Sequence, residues 1–142
     1  MAESIEFRNK QVIERLMAEV DKGNLAVIQE IYSDEYVDRT PSPIRGLAPG
    51  KAGIRKAAEI FSKAFPDTKH QLEQVIAEGD RVVLHMSAEG THTGELFGVA
   101  PTGKTVKLSG ISIYRLSEGK IVERWAYHGT GVLEQLGIEL PK

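Results

Sequence analysis

The stretch Glu78–Gly103, EGDRVVLHMSAEGTHTGELFGVAPTG, most constrains what this chain can fold into. Val82, Leu84, Met86 and Ala88 alternate with Val83, His85, Ser87 and Glu89. A period of two indicates a strand with one apolar and one mixed face. Five of the fourteen glycines fall in this stretch. Gly90 and Gly94 bracket Thr91-His92-Thr93, where backbone freedom lets the strand bend, and Pro101-Thr102-Gly103 supplies a turn. A sheet is therefore the scaffold on which any site is built.

Around it, Ile5, Val12, Ile13, Leu16, Met17 and Val20 form a helical stripe that Gly23 ends. Asn24 is the expected N-cap of a short helix from Leu25 to Tyr32, and Tyr36-Val37 is a short extended piece before a Pro41-Ser42-Pro43 loop. A third helix is expected from about Gly50 to Ala64, stopped by Pro66. Strands follow at Lys69–Ala77, Arg81–Gly90, Thr105–Leu116 and Ile121–His128, and Gly131–Leu136 can add one or two helical turns. Helices first and a meander afterwards predict an α+β fold, with the N-terminal helices packed on a curved antiparallel sheet. With no repeat or linker, residues 1–142 read as a single domain.

Composition narrows the function. A formal net charge of −2 argues against nucleic acid as the main partner. No apolar run approaches a membrane span, and the first ten residues lack a signal-peptide core, so a cytoplasmic protein is expected. Zero cysteines exclude disulfides and thiolate chemistry, and four scattered histidines make a poor metal site. No nucleotide-binding glycine fingerprint is present. Neither metal nor cofactor is expected.

Phe65-Pro66-Asp67, Glu78-Gly79-Asp80 and Gly90-Thr91-His92-Thr93-Gly94, in that order, resemble the SnoaL-like polyketide cyclase (ester cyclase) family. Gly98, Pro101-Thr102-Gly103, Gly119 to Glu123, Trp125 and Gln135-Leu136-Gly137 extend the resemblance over nearly the whole chain. It implies the nuclear transport factor 2-like α+β cone, commonly a homodimer, and an apolar pocket for a hydrophobic small molecule. The implied chemistry is metal-free intramolecular aldol ring closure through an enolate. The family's usual acid/base is an aspartate four residues after the tryptophan. Counting from Trp125 that position is Gly129; counting back from Gln135-Leu136-Gly137 it is His128. Where relatives often read Tyr-Val-Asp-His-Thr-Pro, this chain has Tyr36-Val37-Asp38-Arg39-Thr40-Pro41, a permanent cation in place of a titratable ring.

His128 is accordingly the first candidate for proton transfer near neutral pH, against a surface histidine at a strand end. Tyr127 is the second catalytic candidate, as a donor to an oxyanion. Trp125, sharing its strand face, lines the pocket or packs in the core. Arg39 with Asp38 reads as an anion clamp or a solvated ion pair. Tyr36, Phe61 and Phe65 complete the expected substrate-binding set. His85 is expected to face solvent or a partner subunit, His92 to tie the bent strand, and His70 to be exposed. Because His128 lies three residues past Trp125, an unbroken strand points the two apart. A bulge at Ala126–Tyr127 would turn His128 inward beside Trp125, whereas a shortened loop would leave Gly129 in the acid's place. The reading is a cofactor-independent enzyme moving a proton at carbon. The alternatives are a ligand-binding module of the same fold, or cofactor-free hydroxylation or epoxide opening.

Overall fold

The structure is a computed structural model that describes residues 3–40, 46–129 and 131–138; the Pro41-Ser42-Pro43 loop lies outside them. Ser4 opens α1 (Ile5–Asp21), its Oγ accepting the Phe7 backbone N–H at 3.1 Å and so satisfying one of the helix's free donors. Ile13 and Leu16 of this helix are fully buried. The second helix, α2, is Ala26–Ile31, and its cap is Leu25 rather than Asn24. The Asn24 amide instead donates back to Glu19 at 2.9 Å, tying the α1–α2 corner. Val27, Ile28 and Ile31 join Ile13 and Leu16 in the main core.

The expected short piece at Tyr36-Val37 is a full strand, β1 (Tyr32–Asp38). Helix α3 covers Lys51–Ala64. The meander follows as β2 (Lys69–Glu78), β3 (Arg81–Thr91), β4 (Thr105–Ser117) and β5 (Lys120–His128), and α4 is Val132–Leu136. The five strands lie in the order β1-β5-β4-β3-β2. All neighbours are antiparallel except β1, which runs parallel to β5. A parallel pair needs a crossover, and α3 with the meander supplies it. The architecture is α+β, helices with a sheet, as expected, and the sheet is open, five-stranded and mixed where a purely antiparallel one was expected.

Pairing separates the two faces. Val82 opposes Tyr114, and Tyr114 opposes Arg124; Leu84 opposes Ser112, and Ser112 opposes Ala126. These rows face the helices, where Val82, Leu84 and Tyr114 are buried with α1 and α2. The intervening rows, Val83-Ile113-Trp125 and His85-Ile111-Tyr127, form the outer face. Among the described residues no helix is long and apolar enough to cross a membrane.

Candidate active site

The inner face of β5 carries Arg124, Ala126 and His128 in successive rows, and they oppose Tyr114, Ser112 and Gly110 of β4. The pairing from Arg124 to His128 has no bulge; the hairpin's irregularity lies between Arg115 and Leu116. His128 therefore reaches the inner face by simple alternation, without the bulge at Ala126–Tyr127 that a position beside Trp125 would need. Gly110 makes room for it, since a Cβ there would lie 2.9 Å from His128 Nδ1. A side chain at Gly129 would instead approach Ser109, on the outer row. His128 itself is exposed at the strand end. Its pKa is lowered by the cover on its buried side and then by the Arg124 cation, with Asp38 opposing. Solvent on the open side of the ring screens part of this effect.

At the other end of the row stands a partly buried polar knot. Arg124 Nη2 donates to Asp38 Oδ2 at 2.6 Å, and the Tyr36 hydroxyl donates to the same oxygen at 3.0 Å. Asp38 Oδ1 accepts the Thr40 backbone N–H at 3.0 Å, and Thr40 Oγ1 accepts the Ala126 N–H at 2.9 Å. Tyr32 stands edge-on to Tyr36, with centroids 4.7 Å apart. Burial pushes both phenols well above the usual range, so they stay neutral donors. Burial works against the Arg124 charge, but its pKa is raised overall, with the Asp38 carboxylate beside it holding the cation. Its Nε is buried without a hydrogen-bond partner. The Arg124–Asp38 pair is net neutral, with the guanidinium as its fixed positive end.

Between the two ends lies a floor of small residues: Gly110, Ser112 and Ala126, all buried. Arg124 and His128 are four residues apart, about 13 Å at the strand's ~3.3 Å rise per residue. The α3 stripe Ile54, Ala57, Ala58 and Phe61 is only partly buried, whereas Ile13 of α1 exposes 0%. That part of the inner face thus carries small buried residues, with a histidine at one end and an arginine at the other.

Of the residues expected at the site, His128 and Tyr36 lie on this inner face. Phe65 is buried in a second cluster with Ala64, Leu96, Val106 and Leu136, and Phe61 packs against the same cluster. Three lie on the opposite face. Tyr127 points outward and is 63% exposed. Trp125 lies in an outer row, with the Arg81 guanidinium 5.0 Å from its ring centre. Arg39 is held at 2.7 Å by Glu123, which also accepts from Arg115. These two arginines lower the Glu123 pKa through hydrogen bonds, Arg115 more strongly. Asp38 and Arg39, neighbours in sequence, thus serve opposite faces, because side chains alternate along a strand.

The remaining histidines have separate duties. His92 is buried and tied to Thr102 as expected, its Nδ1 accepting the Thr102 N–H at 3.1 Å. His85 lies in an outer row. His70, expected to be exposed, is mostly covered and bonds Asp21 Oδ1 at 2.6 Å, joining β2 to the end of α1. Among the described residues no cluster of three or more histidines and carboxylates could hold a metal ion. Arg124, Gly110 and Ser112 were missed as site residues. The even spacing Arg124-Ala126-His128 was the available signal.

A surface groove of about 670 Å³ lies at the ends of β2, β3 and β4, lined mainly by outer-row residues such as Lys69, Gln71, Ser87, Glu89 and Lys107. Its lysines and carboxylates are solvated, and nothing there excludes water.

The sequence model of the SnoaL-like polyketide cyclases matches residues 11–136. No curated protein matches. Among solved structures, AclR from Streptomyces galilaeus, a candidate hydroxylase, is 30% identical with a TM-score of 0.79, over 96% of this chain and 99% of that one. IdmH from Streptomyces antibioticus, a candidate polyketide cyclase, is 26% identical with a TM-score of 0.75, over 92% and 99%. TsrD from Streptomyces laurentii shares the fold at 22% identity and a TM-score of 0.79, over 96% and 100%.

Proposed function

Since the chain belongs to the SnoaL-like polyketide cyclase family, we propose that it is a cofactor-independent enzyme that moves a proton at carbon on a flat, hydrophobic polycarbonyl compound. One observation carries the reading: His128 and Arg124 share the inner face with only Gly110, Ser112 and Ala126 between them. A planar molecule can lie on such a floor with one carbonyl toward each end.

In this reading neutral His128 takes the proton from a carbon flanked by two carbonyls. The electron pair of that C–H bond becomes the enolate, its charge shared by the two flanking carbonyl oxygens and drawn toward the Arg124 end of the face. The carbanion carbon then bonds to a second carbonyl carbon of the same molecule. The resulting alkoxide takes the proton back from the imidazolium, so atoms balance without a co-reactant. Asp38 does no chemistry; it holds Arg124 in place. The test is to incubate the protein with linear aromatic β-keto esters able to close a six-membered ring and to separate the isomeric product by chromatography. Binding without ring closure would overturn the catalytic reading in favour of a ligand-binding module.

The identity with AclR favours a second reading, hydroxylation on the same floor. An oxygen requirement and a product heavier by one oxygen atom would select it.

The outer face bears on assembly. Ile76, Ile111 and Tyr127 are 55%, 46% and 63% exposed on a sheet surface that no helix covers among the described residues. A homodimer packing these faces together would remove that apolar surface from water. A 15.6 kDa species in sedimentation at micromolar concentration would rule it out.

A further inference from the structure

The connection between β3 and β4, residues 92–104, is pinned along its length. Besides the His92–Thr102 bond, the N–H groups of Thr93 and Gly94 both donate to the Ala64 carbonyl at 3.1 Å. A Cβ at Gly94 would lie 2.0 Å from the Lys63 oxygen, so only glycine permits this approach. Leu96 is completely buried. Immediately after it, Leu96 and Val99 exchange two backbone hydrogen bonds of 3.0 and 2.9 Å around Phe97-Gly98. Both central residues have positive φ, 48° and 81°. That is the type I′ pattern, which favours Asn-Gly; a bulky ring at its first position is a poor local choice.

Among the described residues the other non-glycine residue with positive φ, Glu118, begins the β4–β5 turn with an exposed polar side chain. Phe97 differs, because it holds an aromatic ring 38% exposed. The ring stands edge-on to Phe61, with centroids 6.3 Å apart and planes at 82°. Phe61 ends the α3 stripe and packs in the cluster that holds Val106 and Leu108 of the inner β4 rows. Because β3 and β5 are both antiparallel to β4, they end on the same side of the sheet. The loop leaving β3 therefore starts at the end that carries His128.

We infer that Phe97 is a specificity-determining residue: with Phe61 it forms an apolar rim to the inner face and selects ligands that carry a flat ring beyond their carbonyl portion. The locally unfavourable phenylalanine is retained for what its ring contacts, in keeping with strain being stored at ligand sites. The inference rests on the inner face being a ligand site.

The experiment uses 2-naphthol, titrated into the full chain and followed by NMR. Wild type should show contacts from the naphthol ring to the Phe61 and Phe97 rings. Phe97→Asn should weaken binding by about tenfold while melting at the same temperature or higher, since Asn accepts positive φ. Phe97→Leu, which keeps apolar bulk on the same backbone, should show a smaller loss. Unchanged affinity in Phe97→Asn would overturn the inference and leave the ligand site standing. Affinity lost together with several degrees of melting temperature would also overturn it, making Phe97 a packing residue. Failure of wild type to bind, or contacts only at Ile76 and Ile111, would overturn both this inference and the inner-face site.

Discussion

The two faces of the sheet each depart from a simple apolar-in, polar-out division. On the inner face an arginine, an aspartate and three tyrosines are drawn under the helices, where Tyr32, Tyr36 and Tyr114 expose 3% or less. On the outer face Ile76, Ile111, Val37 and Tyr127 stand in water at 41% exposure or more. Polar groups are costly to bury unless they bind one another, and here Asp38 accepts from Arg124, Tyr36 and Thr40. The inner face therefore holds a bonded polar knot beside the main apolar core. The outer face has kept its apolar residues without covering them. The proposed chemistry uses the first and the proposed dimer the second.

The comparison breaks most severely if His128 proves dispensable. His128→Ala should lower turnover by about 10²–10⁴ with the fold intact, since positioned acid–base groups contribute on that order; steady-state rates with circular dichroism check it. A base must be unprotonated, so activity should fall as pH drops through the His128 pKa. Because burial and Arg124 lower that pKa, activity should persist to lower pH than with an ordinary histidine near 6.5. Arg124→Met should shift the acid limb upward by removing the cation. The same substitution strands Asp38 and should cost about 3 kcal/mol in denaturant unfolding, the low end for a broken buried pair because both side chains keep about a quarter of their surface exposed.

Gly110→Ala sharpens the role of the floor. The added methyl would meet His128 Nδ1 at 2.9 Å and the Tyr127 oxygen at 3.0 Å. It should cost about 1 kcal/mol as overpacking and reduce turnover by displacing the His128 ring. The smallest effect on stability is expected outside. Ile111→Glu should change the stability of the isolated subunit by no more than about 0.5 kcal/mol, yet shift sedimentation to the monomer if the outer face is a dimer interface. A large loss of stability without a change in association would erase the distinction between the faces.

The sequence by itself determined the succession of elements, because each boundary is local. Alternation marked β3, Gly23 and Pro66 marked helix ends, and Glu118-Gly119 marked a turn. It also determined that His128 and Arg124 share a strand face, since their spacing is even. Only the tertiary structure decided which face is inner. In β4 both alternatives look apolar, Ile111 and Ile113 against Tyr114 and Leu116, and in β5 the largest apolar residue, Trp125, lies on the outside. Size suggested an inward tryptophan, but cross-strand pairing assigns faces by register to β3, whose Val82 and Leu84 meet α1 and α2. Asp38 shows the same limit. Arg39 is its neighbour in sequence, yet its partner is Arg124, 86 residues on, because β1 lies parallel to β5 and Asp38 is paired there with Arg124. A contact across the sheet depends on which strands are neighbours, and no local spacing in the chain encodes that.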